Sequence, residues 1–262
     1  MLSTHKITVL MTVLLLFISS RTFSQSEVFY DGEELYYEVN YSFINIGWAK
    51  FTTEKVPGKE NFYLCKAKLK SNNSLPLIDV DFEFISKIEN INGKLKPHRF
   101  TSNQYKDGKK SVEVYDFLYD SAKVNIKRTG YDGNVEIEKS INTSTVFQDG
   151  LSIFYFARAN TNKDRTEYVP VLMQTDTSMM KIDFSTKRTG IEISEADYEI
   201  SSVYLEGVSY FTAVFGLTGE FSGWFSGDEA RIPLKAKLQV EIGSITLELK
   251  SWKHGNWQPP RY

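Results

Sequence analysis

The sequence predicts an all-β fold, an antiparallel, open or closed β-barrel-like sheet of long strands with one short helix. Three observations carry this expectation. Apolar and polar residues alternate with period two through most of the chain, turn-forming pairs recur between the alternating runs, and one segment alone departs to helical spacing. Aromatic residues make up 14% of the chain and fall within the alternating runs, as a sheet with one apolar face requires.

The first element is a leader. Lys6 precedes an apolar run from Ile7 to Ile18, and small residues at Thr22 and Ser24 flank a cleavage point before Gln25. This is the layout of a secretory signal peptide, too short to span a bilayer stably. Residues 1–24 are therefore expected to be removed, leaving residues 25–262 as one β-rich domain in the periplasm or otherwise exported to the cell envelope. The later chain has no apolar run long enough for a transmembrane helix.

Strands follow in succession. Leu35, Tyr37, Val39, Tyr41 and Phe43 share one parity, so a half-buried strand is expected there. Asn45–Gly47 is expected to turn the chain, and an extended run over Trp48–Val56 ends at Pro57-Gly58. Further strands are expected over Phe62–Lys70, Asp79–Glu89, Leu95–Tyr105, Ser111–Tyr119, Lys123–Lys127 and Val135–Ile141, with turns at Asp107-Gly108, Asp120-Ser121 and Asp132-Gly133. From Asp149 the spacing of Leu151, Phe154, Tyr155, Ala157 and Arg158 is closer to helical. Asp149 can cap that helix by accepting backbone N–H bonds, and Arg158 suits the negative end of its dipole. The helix is expected to pack against or plug the concave face of the sheet.

Strands resume over Thr166–Met173, Met179–Lys187, Gly190–Tyr198, Ser202–Phe215 and Glu220–Phe225. The apolar parity of Leu234 to Ile242 switches after Gly243-Ser244 to Ile245, Leu247 and Leu249. A two-residue turn would pair Ile242 with Ile245, Val240 with Leu247 and Leu238 with Leu249, although a bend within one strand also accommodates the glycine. The Pro259-Pro260 tail is expected to be a loosely held end. Long strands leave costly edges unless the sheet curls, which favours a barrel over flat sheets.

Charge and cysteine content narrow the function. Removing the leader leaves 238 residues with 29 basic and 33 acidic side chains, too mild a balance to attract nucleic acid in general. Cys65 is the sole cysteine, so disulfides do not staple the fold, and a buried, inert thiol is expected. His98 and His254 stand isolated in the mature sequence and form neither a metal set nor a convincing general base. No nucleophile elbow, zinc-protease motif or phosphate loop occurs. The sequence thus nominates no catalytic residue, no metal ligand and no cofactor. Asp79, Asp81 and Glu83 share one side of a strand, which marks a wet face more simply than a calcium site. Tyr36, Tyr105, Tyr115 and Tyr119 form a ligand platform only where they converge on a cavity.

Asp149, Arg158, Asp228 and Arg231 place charge in otherwise apolar surroundings and are the candidate ligand-binding residues. Two readings stand side by side. In one, they form a capping and salt-bridge network fixing the helix on the sheet and the turn before Pro233. In the other, an arginine faces a cavity and pairs with an anionic headgroup or glycan.

Four segments in order resemble one known family: Gly32-Glu33-Glu34-Leu35-Tyr36-Tyr37 with Gly47; Gln148-Asp149-Gly150-Leu151-Ser152 with Tyr155 and Arg158; Trp224-Phe225-Ser226-Gly227-Asp228 with Arg231-Ile232-Pro233; and Gly243-Ser244-Ile245 with Leu247-Glu248-Leu249. They resemble the DUF3108 family of exported bacterial proteins of unknown function, with Gly150 standing where many relatives carry proline. The resemblance implies an envelope location and a β-rich fold similar to the open barrels of lipoprotein carriers, and no established reaction. The expectation is a non-catalytic envelope protein that binds or carries a lipid-like apolar or amphipathic molecule in a β cavity. The alternative is a structural or assembly factor with a filled interior, acting through contacts with another envelope protein.

Overall fold

Period-two alternation is realised as one antiparallel sheet. The computed structural model describes residues 27–72, 79–210, 219–240 and 243–262; the expected leader over 1–24 lies outside them, as do Ile242 and the end of the strand expected to reach Phe215. The strands are β1 (Glu33–Tyr41), β2 (Ile44–Lys55), β3 (Phe62–Ser71), β4 (Asp81–Ile91), β5 (Lys94–Lys106), β6 (Lys109–Leu118), β7 (Lys123–Thr129) and β8 (Val135–Asn142). Helix α1 (Ser152–Asn160) follows, and then β9 (Arg165–Met173), β10 (Asp176–Ile191), β11 (Ile200–Ser209), β12 (Gly219–Ser226), β13 (Pro233–Gln239) and β14 (Ser244–Lys253).

Neighbours in sequence are neighbours in the sheet, except that β1 pairs with β14 in the middle and β8 and β9 form the edges of the fourteen-stranded sheet. The sheet is therefore an open barrel whose gap lies where the helical segment connects β8 to β9. That segment also covers the β9 edge. Gln148 N–H donates to Pro170 O at 2.9 Å, and Leu172 N–H donates to Gln148 O at 2.9 Å. At the other edge, β8 is mostly exposed and carries Glu136, Glu138 and Lys139, a composition that discourages further strand pairing.

Helix α1 is apolar on several faces because it lies inside the curled sheet. Leu151 and Tyr155 pack with residues of β3–β7, whereas Ile153 packs with Val169, Ile182, Leu205 and Phe225 of β9–β12. Phe154 stacks on Phe51, with ring centroids 4.5 Å apart. The two halves of the sheet thus meet on the helix, which plugs the concave face as its spacing suggests.

Several expected details differ. The first turn falls at Ser42-Phe43, with Ser42 at φ 54°, and Gly47 lies within β2. Gly47 answers a close approach of β3: a Cβ there would lie 2.3 Å from Lys70 O. The strand expected over Met179–Lys187 lies within β10, but of the one expected over Gly190–Tyr198 only Gly190 and Ile191 are strand, as the end of β10, and the rest is the connection to β11. Gly190 lies within β10 at a close approach: a Cβ there would meet the Glu199 and Tyr262 side chains at 2.6 and 2.9 Å. The terminal hairpin forms, but Leu238 pairs with Ile245 and Ala236 with Leu247. This shift from the expected pairing is even, so the same face stays apolar; alternation fixes parity and not register. The proline tail is tied down: Ser201 N–H donates to Pro260 O at 2.8 Å, and Tyr198 Oη–H donates to Pro259 O at 2.8 Å.

Candidate functional site

In an antiparallel meander every second turn falls at the same end. The turns after β1, β3, β5, β7, β9, β11 and β13 therefore form one end of the barrel, while α1 enters from the other. Leu151, just before α1, and the helix residues Ile153, Phe154 and Ala157 make the floor of a cavity of about 720 Å³ that reaches toward the first end. Its walls are aromatic and aliphatic. Phe84 stacks on Phe100 at 5.9 Å and Phe100 on Tyr115 at 5.2 Å, and Leu205, Phe221, Ala236 and Leu247 form the facing side. A hollow of this size with mainly apolar walls is the ordinary form of a small-molecule site.

Polar side chains interrupt the apolar lining at several places, among them Gln104, Glu136, Glu220 and Lys235, and one group of them is joined by hydrogen bonds. Glu113 on β6 and Arg128 on β7 both point inward, and the cavity touches both. Arg128 Nε–H donates to Glu113 Oε2 at 2.8 Å, with a second bond from Nη2. Tyr115 Oη–H donates to Glu113 Oε1 and accepts the Thr175 N–H at 3.1 Å. Burial first, and then the neighbouring Glu113 charge, push the Tyr115 hydroxyl well above its usual value, so it remains a neutral donor. The cluster presents hydrogen-bonding groups with balanced charge near the cavity mouth. Sequence reasoning missed Glu113 and Arg128, although Glu113 shares strand parity with the inward-facing Tyr115 and Phe117. Of the four tyrosines considered as a platform, Tyr115 lines the cavity. Tyr36 stacks on Trp48, Tyr105 lies under Lys68, and Tyr119 stacks on Phe117.

The four nominated residues sit elsewhere. Asp149 is fully buried and caps α1: its Oδ1 accepts N–H bonds from Leu151 at 2.8 Å and Ser152 at 2.7 Å, and its Oδ2 accepts Ser86 Oγ–H at 2.6 Å. Burial raises its carboxyl to about 6 against the opposing pull of these donors. Arg158, also fully buried, donates to both Glu33 oxygens at 2.6 and 2.8 Å and to Ala230 O at 2.9 and 3.2 Å. His254 Nδ1 lies 2.7 Å from the same carboxylate. Burial would raise the Glu33 carboxyl, but Arg158 and His254 hold it below its usual range.

Asp228 and Arg231 come together in a smaller hollow of about 310 Å³ outside the main cavity. Asp228 accepts bonds from Ser226 Oγ–H at 2.6 Å and Trp257 Nε1–H at 2.7 Å. Arg231, held at φ 47°, donates to Ala159 O at 2.9 Å and so caps the last turn of α1. The structure therefore joins Arg158, Asp149 and Arg231 through the helix, and the large cavity touches none of the four nominated residues.

The remaining candidates are engaged in local pairs. Asp81 lies 3.7 and 3.5 Å from Lys68 and Lys70, and Glu83 accepts from Asn103 at 2.9 Å. His98 sits 3.1 Å from Glu89 away from the cavity. Among the described residues no group of three or more His, Cys, Asp or Glu side chains is arranged to hold a metal. Cys65 is buried, and burial pushes its thiol far up, so it resists ionisation.

Comparison with known proteins agrees with this architecture. The crystal structure of a beta-barrel-like protein of domain of unknown function DUF1849 from Brucella abortus is similar, with a TM-score of 0.57 over 85% of this chain and 97% of that one. At 8% identity the likeness concerns the fold alone. No curated protein matches the sequence. Residues 36–250 match the family described as protein of unknown function (DUF3108), and the chain belongs to that family.

Proposed function

We propose that this member of the DUF3108 family is a non-catalytic, exported protein of the cell envelope that carries a lipid-like amphiphile. The apolar body of the ligand lies in the lumen between α1 and the curled sheet. Its polar end meets Glu113, Arg128 and Tyr115, where hydrogen-bond donors and acceptors are available without a large net charge.

The observation that supports this reading is the cavity of about 720 Å³, walled by aromatic and aliphatic side chains and floored by a helix. Burying an apolar chain there gains roughly 25 cal/mol for each Å² removed from water, so a long chain supplies its own affinity. An assembly factor acting only through its outer surface has no need of such a hollow. The test is titration with a fluorescent fatty-chain probe, comparing the native protein with Ala236→Trp, which places an indole in the cavity. Saturable binding lost in the variant, with melting unchanged, is expected. Equal binding by both proteins, or none by the native one, contradicts the reading.

A further inference from the structure

The curled sheet leaves one seam. Consecutive strands in the sheet order are joined by backbone ladders, whereas β8 and β9 are its edges and share none. Among the described residues, two polar contacts cross the mouth half of this seam. Thr175 N–H, at the tip of the β9–β10 hairpin, donates to Tyr115 Oη on β6 at 3.1 Å. Beside it, Lys139 Nζ on β8 lies 3.1 Å from Asp176 Oδ1, and both side chains are exposed. The tip completes the lumen wall, because Met173 and Gln174 line the cavity together with Tyr115. Deeper along β9, Gln148 pairs with Val171, and Leu172 packs in the same buried cluster as Tyr115 and Ile126. Those contacts hold the base of the hairpin and confine movement to its tip.

The tip is strained. Gln174 and Thr175 both have positive φ, 48° and 70°, in the two-residue turn between the paired Met173 and Asp176. Such turns favour Asn-Gly, and a β-branched residue is costly there. Thr175 is nevertheless buried beneath the Tyr115 hydroxyl. Backbone strain of this kind persists only while surrounding contacts impose it. We propose that the β9–β10 tip is the gate of the lumen, lifting from β6 and β8 to pass the amphiphile and closing through the Thr175–Tyr115 and Lys139–Asp176 contacts. Opening here breaks one buried hydrogen bond and an exposed ion pair, whereas opening any other strand boundary breaks a ladder. Tyr115 couples the gate to the ligand, since its hydroxyl also bonds Glu113, where the polar end is assigned. A headgroup that draws Tyr115 or Glu113 to itself favours the open tip. The gate regulates the proposed carrier site and rests on that reading.

Two measurements test it, and the first needs no ligand. Amide hydrogen exchange of the purified protein should show Thr175 exchanging at least about a hundredfold faster than the ladder amides of Tyr115 and Ile182. In Lys139→Ser, exchange at Thr175 should rise about two- to fivefold while those two amides stay unchanged. For entry, Lys139→Cys with Asp176→Cys is joined by a short bis-maleimide and compared with the same variant capped by N-ethylmaleimide; Cys65 is buried and stays out of the reaction. The joined protein should take up the fatty-chain probe at least about tenfold more slowly than the capped one, and its Thr175 exchange should slow as well. Neither residue lines the cavity, so the final amount bound should match. Thr175 as protected as the ladder amides, or equal uptake rates in the joined and capped proteins, overturns the proposal. A Thr175 amide that opens and answers to both changes, in a native protein that takes up no probe, leaves the moving tip intact and refutes the carrier reading alone.

Discussion

Arg158 and Glu33 meet through two hydrogen bonds of 2.6 and 2.8 Å, joining residues 125 positions apart at the junction of the plugging helix and the first strand. Both side chains are almost completely excluded from water, with exposures of 0% and 2%. The pair therefore does more than decorate a surface. It anchors α1 to β1, and through Ala230 O it anchors the loop before β13 as well.

Breaking this pair from one side leaves an uncompensated buried charge. Arg158→Met alone should destabilise the protein by about 3–5 kcal/mol, and Glu33→Gln should also be costly. Replacing both, as Arg158→Met with Glu33→Leu, should recover much of that loss, leaving His254 without its carboxylate. Urea denaturation of the single and double variants measures the coupling; additive losses would contradict a direct pair.

Asp149 gives stability an unusual pH dependence. Its folded pKa of about 6 lies above the ordinary carboxylate value of 3.8. The stability it contributes is fully present below the unfolded pKa and is lost as pH rises through the folded one. Asp149→Asn keeps an acceptor for the helix N–H groups and removes the titration. The native protein should lose up to about 3 kcal/mol relative to that variant between pH 4 and pH 7. Glu33 acts in the opposite sense, its contribution vanishing as pH falls through its depressed pKa, and it is common to both proteins. Denaturation curves at the two pH values check the sign.

Cys65 offers a probe of opening. A thiol with no exposure and a raised pKa should react with a thiol reagent only through unfolding. Labelling in native buffer should be slow and should accelerate in parallel with loss of the near-ultraviolet circular dichroism signal. Prompt labelling would mean that the β3 region opens independently.

Glu113 and Arg128 should govern ligand choice more than fold. Arg128→Met leaves the Glu113 carboxylate facing the cavity with Tyr115 as its remaining strong donor, so binding of a fatty-chain probe with an acidic head should weaken by about tenfold. The double variant Glu113→Gln with Arg128→Met should bind an uncharged long-chain alcohol at least as well as the native protein does. Isothermal titration of both ligands separates headgroup contact from chain burial.

Much of the architecture was legible because one physical constraint repeats: a curled sheet has an inside. The alternation of Leu35, Tyr37 and Val39, or of Tyr115 and Phe117, follows directly from it. Asp149 was legible as a cap because its carboxylate precedes a run at helical spacing. The partner of Arg158 was not, since nothing local in Gly32-Glu33-Glu34 says which carboxylate turns inward toward a helix 125 positions later. Gly47 looked like a turn residue because glycine serves turns and close strand approaches alike. The register of β13 on β14 also escaped, because even shifts preserve the apolar face. The cavity depends on the curvature of the whole sheet and on where α1 stops, and no local pattern encodes either.

The most direct measurement is native mass spectrometry of the protein purified from its native host without detergent, followed by organic extraction. The account predicts a stoichiometric lipid-like adduct that Ala236→Trp excludes while remaining folded. Repeated recovery of the bare polypeptide mass, with no lipid in the extract, would contradict it.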